Sequence, residues 1–76
     1  MESAGPPQTD LIHYDGRVRR SLANDLFEIE LVDGRQVLAH LSTGARLRAV
    51  RVGAGDRVRV ELARYDQTRG RIVGRA

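Results

Sequence analysis

Tyr65 stands among three arginines, Arg64, Arg69 and Arg71, in a short polar stretch that also holds Asp66, Gln67, Thr68 and Gly70. A guanidinium forks onto phosphate oxygens and stacks on bases, and an aromatic ring offers a π-face. Together they suit single-stranded or irregular nucleic acid. The charge distribution supports the same chemistry. Residues 1–34 hold three arginines against seven acids, whereas residues 35–76 hold ten arginines against three acids, so the net charge of +3 conceals a basic half. All thirteen basic residues are arginine. A GC-rich coding bias explains that as well as a choice for bidentate phosphate contacts does, so only their placement is informative.

Catalytic chemistry has little to work with. His13 and His40 have no cysteine nucleophile, no Gly-x-Ser-x-Gly elbow and no phosphate-cradling glycine loop to act with. Neither has a second histidine or cysteine at ligand spacing. No enzyme activity, no metal site and no cofactor is therefore expected.

At 76 residues and 41% apolar content the chain has room for one modest core. The absence of cysteine removes disulfides and suits a reducing compartment. No apolar run approaches the roughly 18 residues of a membrane span, and Met1 to Pro7 lacks the positive start and apolar stretch of a signal peptide. A cytoplasmic protein with no membrane partner is expected. Gly5-Pro6-Pro7 breaks any periodicity, so residues 1–13 read as a flexible tail and residues 14–76 as the folded domain.

From Tyr14 onward the pattern is β. Val18 begins a first short alternation, and Phe27, Ile29 and Leu31 alternate with Glu28 and Glu30. Asp33-Gly34 follows, a pair that suits a type I′ hairpin turn. Val37, Ala39 and Leu41 form the inner face of a third strand. Alternation then fails from Ser42 to Val50, which predicts a short helix capped by Ser42 or Thr43. On that helix Leu47 and Val50 are expected to cover the open end of a barrel, with Arg46, Arg48 and Arg51 in solvent. A turn at Gly53-Ala54-Gly55-Asp56 leads to a strand with Val58, Val60 and Leu62 inside and Arg57, Arg59 and Glu61 outside. A fifth strand, Arg71 to Arg75, is expected after a turn around Gly70. The fold class is all-β: a five-stranded antiparallel Greek-key barrel of the OB type with a short helix between strands three and four.

The order of motifs resembles the bacterial translation initiation factor 1 family. The matching pieces are Gly16-Arg17-Val18, Phe27 to Leu31 with Asp33-Gly34, Ala39-His40-Leu41-Ser42, Val50-Arg51-Val52, Gly55 to Leu62, and Tyr65-Asp66 through Gly70-Arg71-Ile72. They fall in the family's order across residues 16–75. The resemblance implies a factor that binds the A-site decoding region of 16S rRNA on the 30S ribosomal subunit, together with other initiation factors. It places Arg46 and Arg51 in a loop that enters the rRNA, and Tyr65, Arg71, Arg75 and His40 at RNA-facing positions. Arg48 and Arg69 join them as neighbouring cations. The family's Gly-Lys-Met-Arg loop appears here as Thr43-Gly44-Ala45-Arg46, which marks a divergent member.

Each of these residues also has a local reading. Phe27 alternates with acids as a core residue does. Tyr65 suits a turn hydrogen bond as well as RNA contact, and His40 suits a solvated strand face. Arg57 and Arg59 fit an ordinary exposed face, yet two cations with no acid between them create a positive field, which makes Arg59 a further candidate. A generic single-stranded RNA-binding or RNA-chaperone domain is the alternative function, although three aromatics are few for a stacking platform. A third possibility is a protein-interaction barrel whose basic face serves only solubility. A closed barrel leaves no strong self-pairing edge, so a monomer is expected.

Overall fold

Side chains that alternate between interior and solvent build the inner faces of this protein's strands. The computed structural model describes residues 11–23 and 25–76. The first ten residues of the expected tail lie outside the described residues. The elements are β1 (Leu11–Ala23), β2 (Leu26–Leu31), β3 (Gln36–Leu41), α1 (Thr43–Leu47), β4 (Arg57–Ala63) and β5 (Asp66–Arg75). Phe27, Ile29 and Leu31 of β2, Val37, Ala39 and Leu41 of β3, and Val58, Val60 and Leu62 of β4 all point inward. Val18 and Ile72 join them, so the core is a single apolar cluster, with no buried polar or charged side chain among the described residues.

The strands close into a barrel in the order β1-β2-β3-β5-β4. Four seams are antiparallel, as expected, but β3 and β5 run parallel, with Ala39 opposite Gly70 and Leu41 opposite Ile72. The parallel seam follows from connectivity. The chain leaves β3, passes through α1 and β4, and returns, which is a crossover rather than a hairpin. β1 is long enough to serve two neighbours, pairing with β4 from Leu11 to Arg17 and with β2 from Gly16 onward.

Three expectations about boundaries are corrected. Leu11, Ile12 and His13, read as tail, form the first rungs of β1 opposite Ala63, Leu62 and Glu61. Leu11 and Ile12 are only half-buried, so their apolar pair carries no alternation signal. The β2–β3 turn is not type I′, because Gly34 alone of the pair has positive φ, at 94°. Gly34 N–H donates to Leu31 O at 2.9 Å and Leu31 N–H donates to Arg35 O at 2.8 Å. A three-residue loop ending in a left-handed glycine is the next commonest hairpin geometry.

Gly70 is not a turn. The chain reverses at Arg64-Tyr65, and β5 already runs from Asp66, with Gly70 in mid-strand between Ala39 and Leu62. A Cβ at Gly70 would collide with the Glu61 carbonyl oxygen and the Leu62 side chain. Here glycine serves close strand approach, which resembles a turn signal when only its type is known.

Gly70→Ala should therefore cost about 1–3 kcal/mol of unfolding free energy, since the backbone it meets cannot give way. Gly74→Ala, where the nearest atom to a new Cβ is Arg48 Nη2 at 4.0 Å, should stay within about 0.5 kcal/mol. Chemical denaturation of the two variants checks this, and equal losses would mean that the β4–β5 register is wrong.

Candidate nucleic-acid interface

The basic surface begins at α1, a helix too short to persist without support at both ends. Ser42 caps it, its Oγ accepting from Ala45 N–H at 3.0 Å, as expected of one of the two candidate caps. Its C-terminus closes with Ala49 N–H donating to Arg46 O and Val50 N–H donating to Ala45 O, both at 3.0 Å. That is a Schellman arrangement with alanine, at φ 57°, in the position that normally takes glycine. Ala45 is fully buried beneath it, and Val50 packs against the core as expected.

Leu47 behaves differently from the expectation. It is 81% exposed. At 100° per residue, a side chain two positions beyond Ala45 lies on the opposite side of the helix. The short alanine is what brings α1 down onto the barrel end, and Leu47 consequently projects into solvent beside Arg46 and Arg48.

Hydrogen bonds fix the arginines of this end. Arg48 Nη2 donates to Val73 O at 2.8 Å, which ties α1 to β5. Arg75 Nη1 donates to Arg51 O at 2.9 Å and lies 3.5 Å from Asp56 Oδ2. Arg46 Nη2 lies 2.8 Å from Asp25 Oδ2 in the β1–β2 turn. These contacts tie α1, the following loop and β5 through Arg48, the Arg51 carbonyl and Arg75, and tie α1 to the β1–β2 turn through Arg46.

The remaining candidates form a wall on the outer face of β3, β5 and β4. His40 is the neighbour of Arg71 across the parallel seam, and Arg71 is the neighbour of Glu61. Arg71 pairs with Glu61, which also accepts His13 Nε2 at 3.1 Å. Arg69 lies along the same strand, opposite Leu38. Arg59 lies 3.5 Å from Asp15 Oδ1. Tyr65 stands apart, 83% exposed at the β4–β5 turn and so at the opposite end of β5 from Arg75. Its turn is ordered by Asp66, whose Oδ1 accepts from Thr68 Oγ1 at 2.7 Å and Thr68 N–H at 3.2 Å. The Thr68 hydroxyl, then its backbone N–H, hold the Asp66 carboxyl below its ordinary value.

Among the described residues, the guanidiniums of Arg48 and Arg51 have no carboxylate partner, Arg69 lies near enough to Asp66 to help lower that carboxyl, and Arg46, Arg59, Arg71 and Arg75 each have a paired carboxylate. The β1–β2 side is quieter, since Arg19 and Arg20 pair with Glu30 and Glu28 at 2.9 and 3.0 Å. Excess positive charge therefore collects on α1, the loop after it and β5, while β3 carries no arginine. Phe27 is 6% exposed and belongs to the core.

One cluster was not foreseen. Arg35 lies 5.0 Å from the centroid of the Tyr14 ring, and Gln67 Oε1 accepts from Arg35 Nη1 at 2.6 Å and from Tyr14 Oη at 3.4 Å. It clasps β1, the β2–β3 turn and β5 at the end away from α1. Only the register of β1 could have revealed it, because these three residues are far apart in sequence.

The family model for Translation initiation factor 1A / IF-1 matches residues 2–76. Among solved structures, the chain is similar to translation initiation factor 1 from the Wolbachia endosymbiont strain TRS of Brugia malayi. The TM-score is 0.77 at 30% sequence identity, over 92% of this chain and 83% of that one. This chain belongs to the translation initiation factor 1A / IF-1 family, whose members are non-enzymatic factors.

Two substitutions check how α1 is held. Ala49→Gly should raise stability by about 0.5–1 kcal/mol by relieving a left-handed alanine. Leu47→Ala should change it by less than about 0.5 kcal/mol, because the side chain is solvated already. Thermal melts of both variants decide the matter, and a large loss at Leu47 would mean that α1 is rotated.

Proposed function

We propose that this initiation factor docks on the 30S ribosomal subunit with the α1 end and the β3–β5 wall against 16S rRNA, in the A-site decoding region. The observation that carries the proposal is the arrangement of Arg46, Arg48, Arg51 and Arg75 around a capped helix, supported by membership of the family. Guanidiniums held on a fixed support lose little entropy on meeting phosphates. Arg51, without a carboxylate partner among the described residues, makes the first contact. Arg46, Arg71 and Arg75 exchange a carboxylate for a phosphate as the surfaces close.

His40 and Tyr65 widen the contact along β3 and at the β4–β5 turn. The chemistry is recognition alone: charge neutralisation, hydrogen bonding and occupation of space, with no bond made or broken. The protein acts in the cytoplasm as a monomer alongside other initiation factors.

Footprinting on purified 30S subunits tests the site. Discrete protection in the decoding region supports it, scattered protection of single-stranded segments points instead to a generic RNA-binding domain, and no protection points to a protein-interaction barrel. With about four to six phosphate contacts, log affinity should fall linearly with log salt at a slope of about −3 to −5. Replacing Arg46 and Arg51 together with alanine should weaken 30S binding by about 2–4 kcal/mol, at roughly 1–2 per charged contact, with little change in melting temperature. Arg17→Ala with Arg19→Ala, on the first strand, should cost much less. If this control pair proves the more damaging, the RNA-facing surface lies on the first hairpin instead.

A further inference from the structure

A second surface lies over β1, the strand separated by β2 on one side and β4 on the other from the β3–β5 seam. There a groove of about 500 Å³ is lined by Asp15, Arg17, Glu30, Val32, Arg57 and the backbone around them. Arg17 and Arg57 are direct cross-strand partners, so two like charges face each other on one sheet surface. Such a pair destabilises a sheet unless something neutralises it, and here Glu30 stands opposite Arg17 across the β1–β2 seam while no acid stands opposite Arg57. Both acids of the groove have arginines of their own: Asp15 lies 3.5 Å from Arg59, and Glu30 lies 2.9 Å from Arg19. Among the described residues neither Arg17 nor Arg57 has a side-chain partner.

The groove is also preformed. Val32 N–H donates to Asp15 O at 3.0 Å, pinning the β2–β3 turn to β1, and Ala76 N–H donates to Arg57 O at 3.0 Å on the other wall. Val32 itself, on the rim, is 76% exposed. The surface therefore offers a pair of guanidiniums beside an apolar contact, with two carboxylates close by.

We propose that this groove is a docking site for an acidic peptide segment of a protein partner, one carboxylate lying between Arg17 and Arg57 and an apolar neighbour resting on Val32. The charge arrangement selects this occupant over RNA. A single carboxylate fits between two guanidiniums, whereas a run of phosphates would have to pass Asp15 and Glu30, whose charges repel it. The groove adjoins the proposed RNA-facing surface, since Ala76 on its wall follows Arg75 and Asp15 pairs with Arg59.

Heteronuclear NMR with a blocked peptide carrying one glutamate beside a leucine, all other residues neutral, tests the assignment. Saturable shifts are expected at the amides of Gly16, Arg17, Val32 and Arg57, and the Arg17→Ala, Arg57→Ala double variant should weaken half-saturation roughly tenfold, the loss of about one charged contact. Relief of the like-charge pair should leave the melting temperature of that variant unchanged or raised. Should it fail to fold, Val32→Ser alone must still weaken the peptide. The proposal is overturned if no saturable shift occurs, if the shifts fall instead around Arg46 and Arg51, or if inorganic phosphate or an RNA oligonucleotide saturates the same amides equally well.

Discussion

Closure of the sheet on itself is the constraint from which the rest of this structure follows. Five short strands cannot bury an apolar face against a second layer that does not exist, so the interior must come from the sheet alone. The parallel contact of β3 with β5 completes it. That contact needs Gly70, because a side chain there would strike the backbone of β4. Once closed, the barrel admits only apolar groups, and every charged side chain described is pushed outward. A chain that is 30% charged is then left with a surface dominated by guanidiniums and carboxylates. Whatever it does must be done by that surface.

The inner faces of β2, β3 and β4 were legible in the sequence, because an alternation of Phe27, Ile29 and Leu31 with two glutamates admits one register in water. What misled was residue type without partners. Gly70 signals a bend if considered alone, yet its reason lies in a residue on another strand. Leu47 looks like a core residue because it is apolar, but Ala45 sits closer to the barrel, and one helix face holds only one of them. Leu11 and Ile12 show no alternation because β1 begins half-buried. These are failures of tertiary context, and they leave the fold class intact.

The binding surface divides in the same way. That Arg48 and Arg75 lie against the loop and strand beside α1 follows from the hydrogen bonds of Arg48 to Val73 and of Arg75 to the Arg51 carbonyl, and none of this is visible in spacing. Nor is the choice of acid for each arginine. Asp25 reaches Arg46 from the first hairpin, and Glu61 serves both Arg71 and His13 because the three occupy one rung. The sequence alone shows a basic second half. Register decides which of its charges are already occupied.

That occupation shapes how such a surface meets RNA. An exposed ion pair is worth little, typically under about 1 kcal/mol, because water and salt screen it. Breaking such a pair costs an arginine less than a charged contact with phosphate returns, so each exchange leaves a small net gain. Net affinity has to come from several exchanges made together and from the arginines that give up no partner. An isolated phosphate therefore gains little from this face, while a rigid array of phosphates at matching spacing gains from every arginine at once. The capped helix and the clasped strands keep that spacing fixed, so on the proposed docking discrimination would rest on the stiffness of the barrel rather than on base-specific contacts. The resemblance to the family's loop implies a charge and an apolar tip at positions 44 and 45, which Gly44 and Ala45 do not supply. The buried Ala45 then gives α1 a firm seat, and Leu47 takes the exposed apolar position two residues further on.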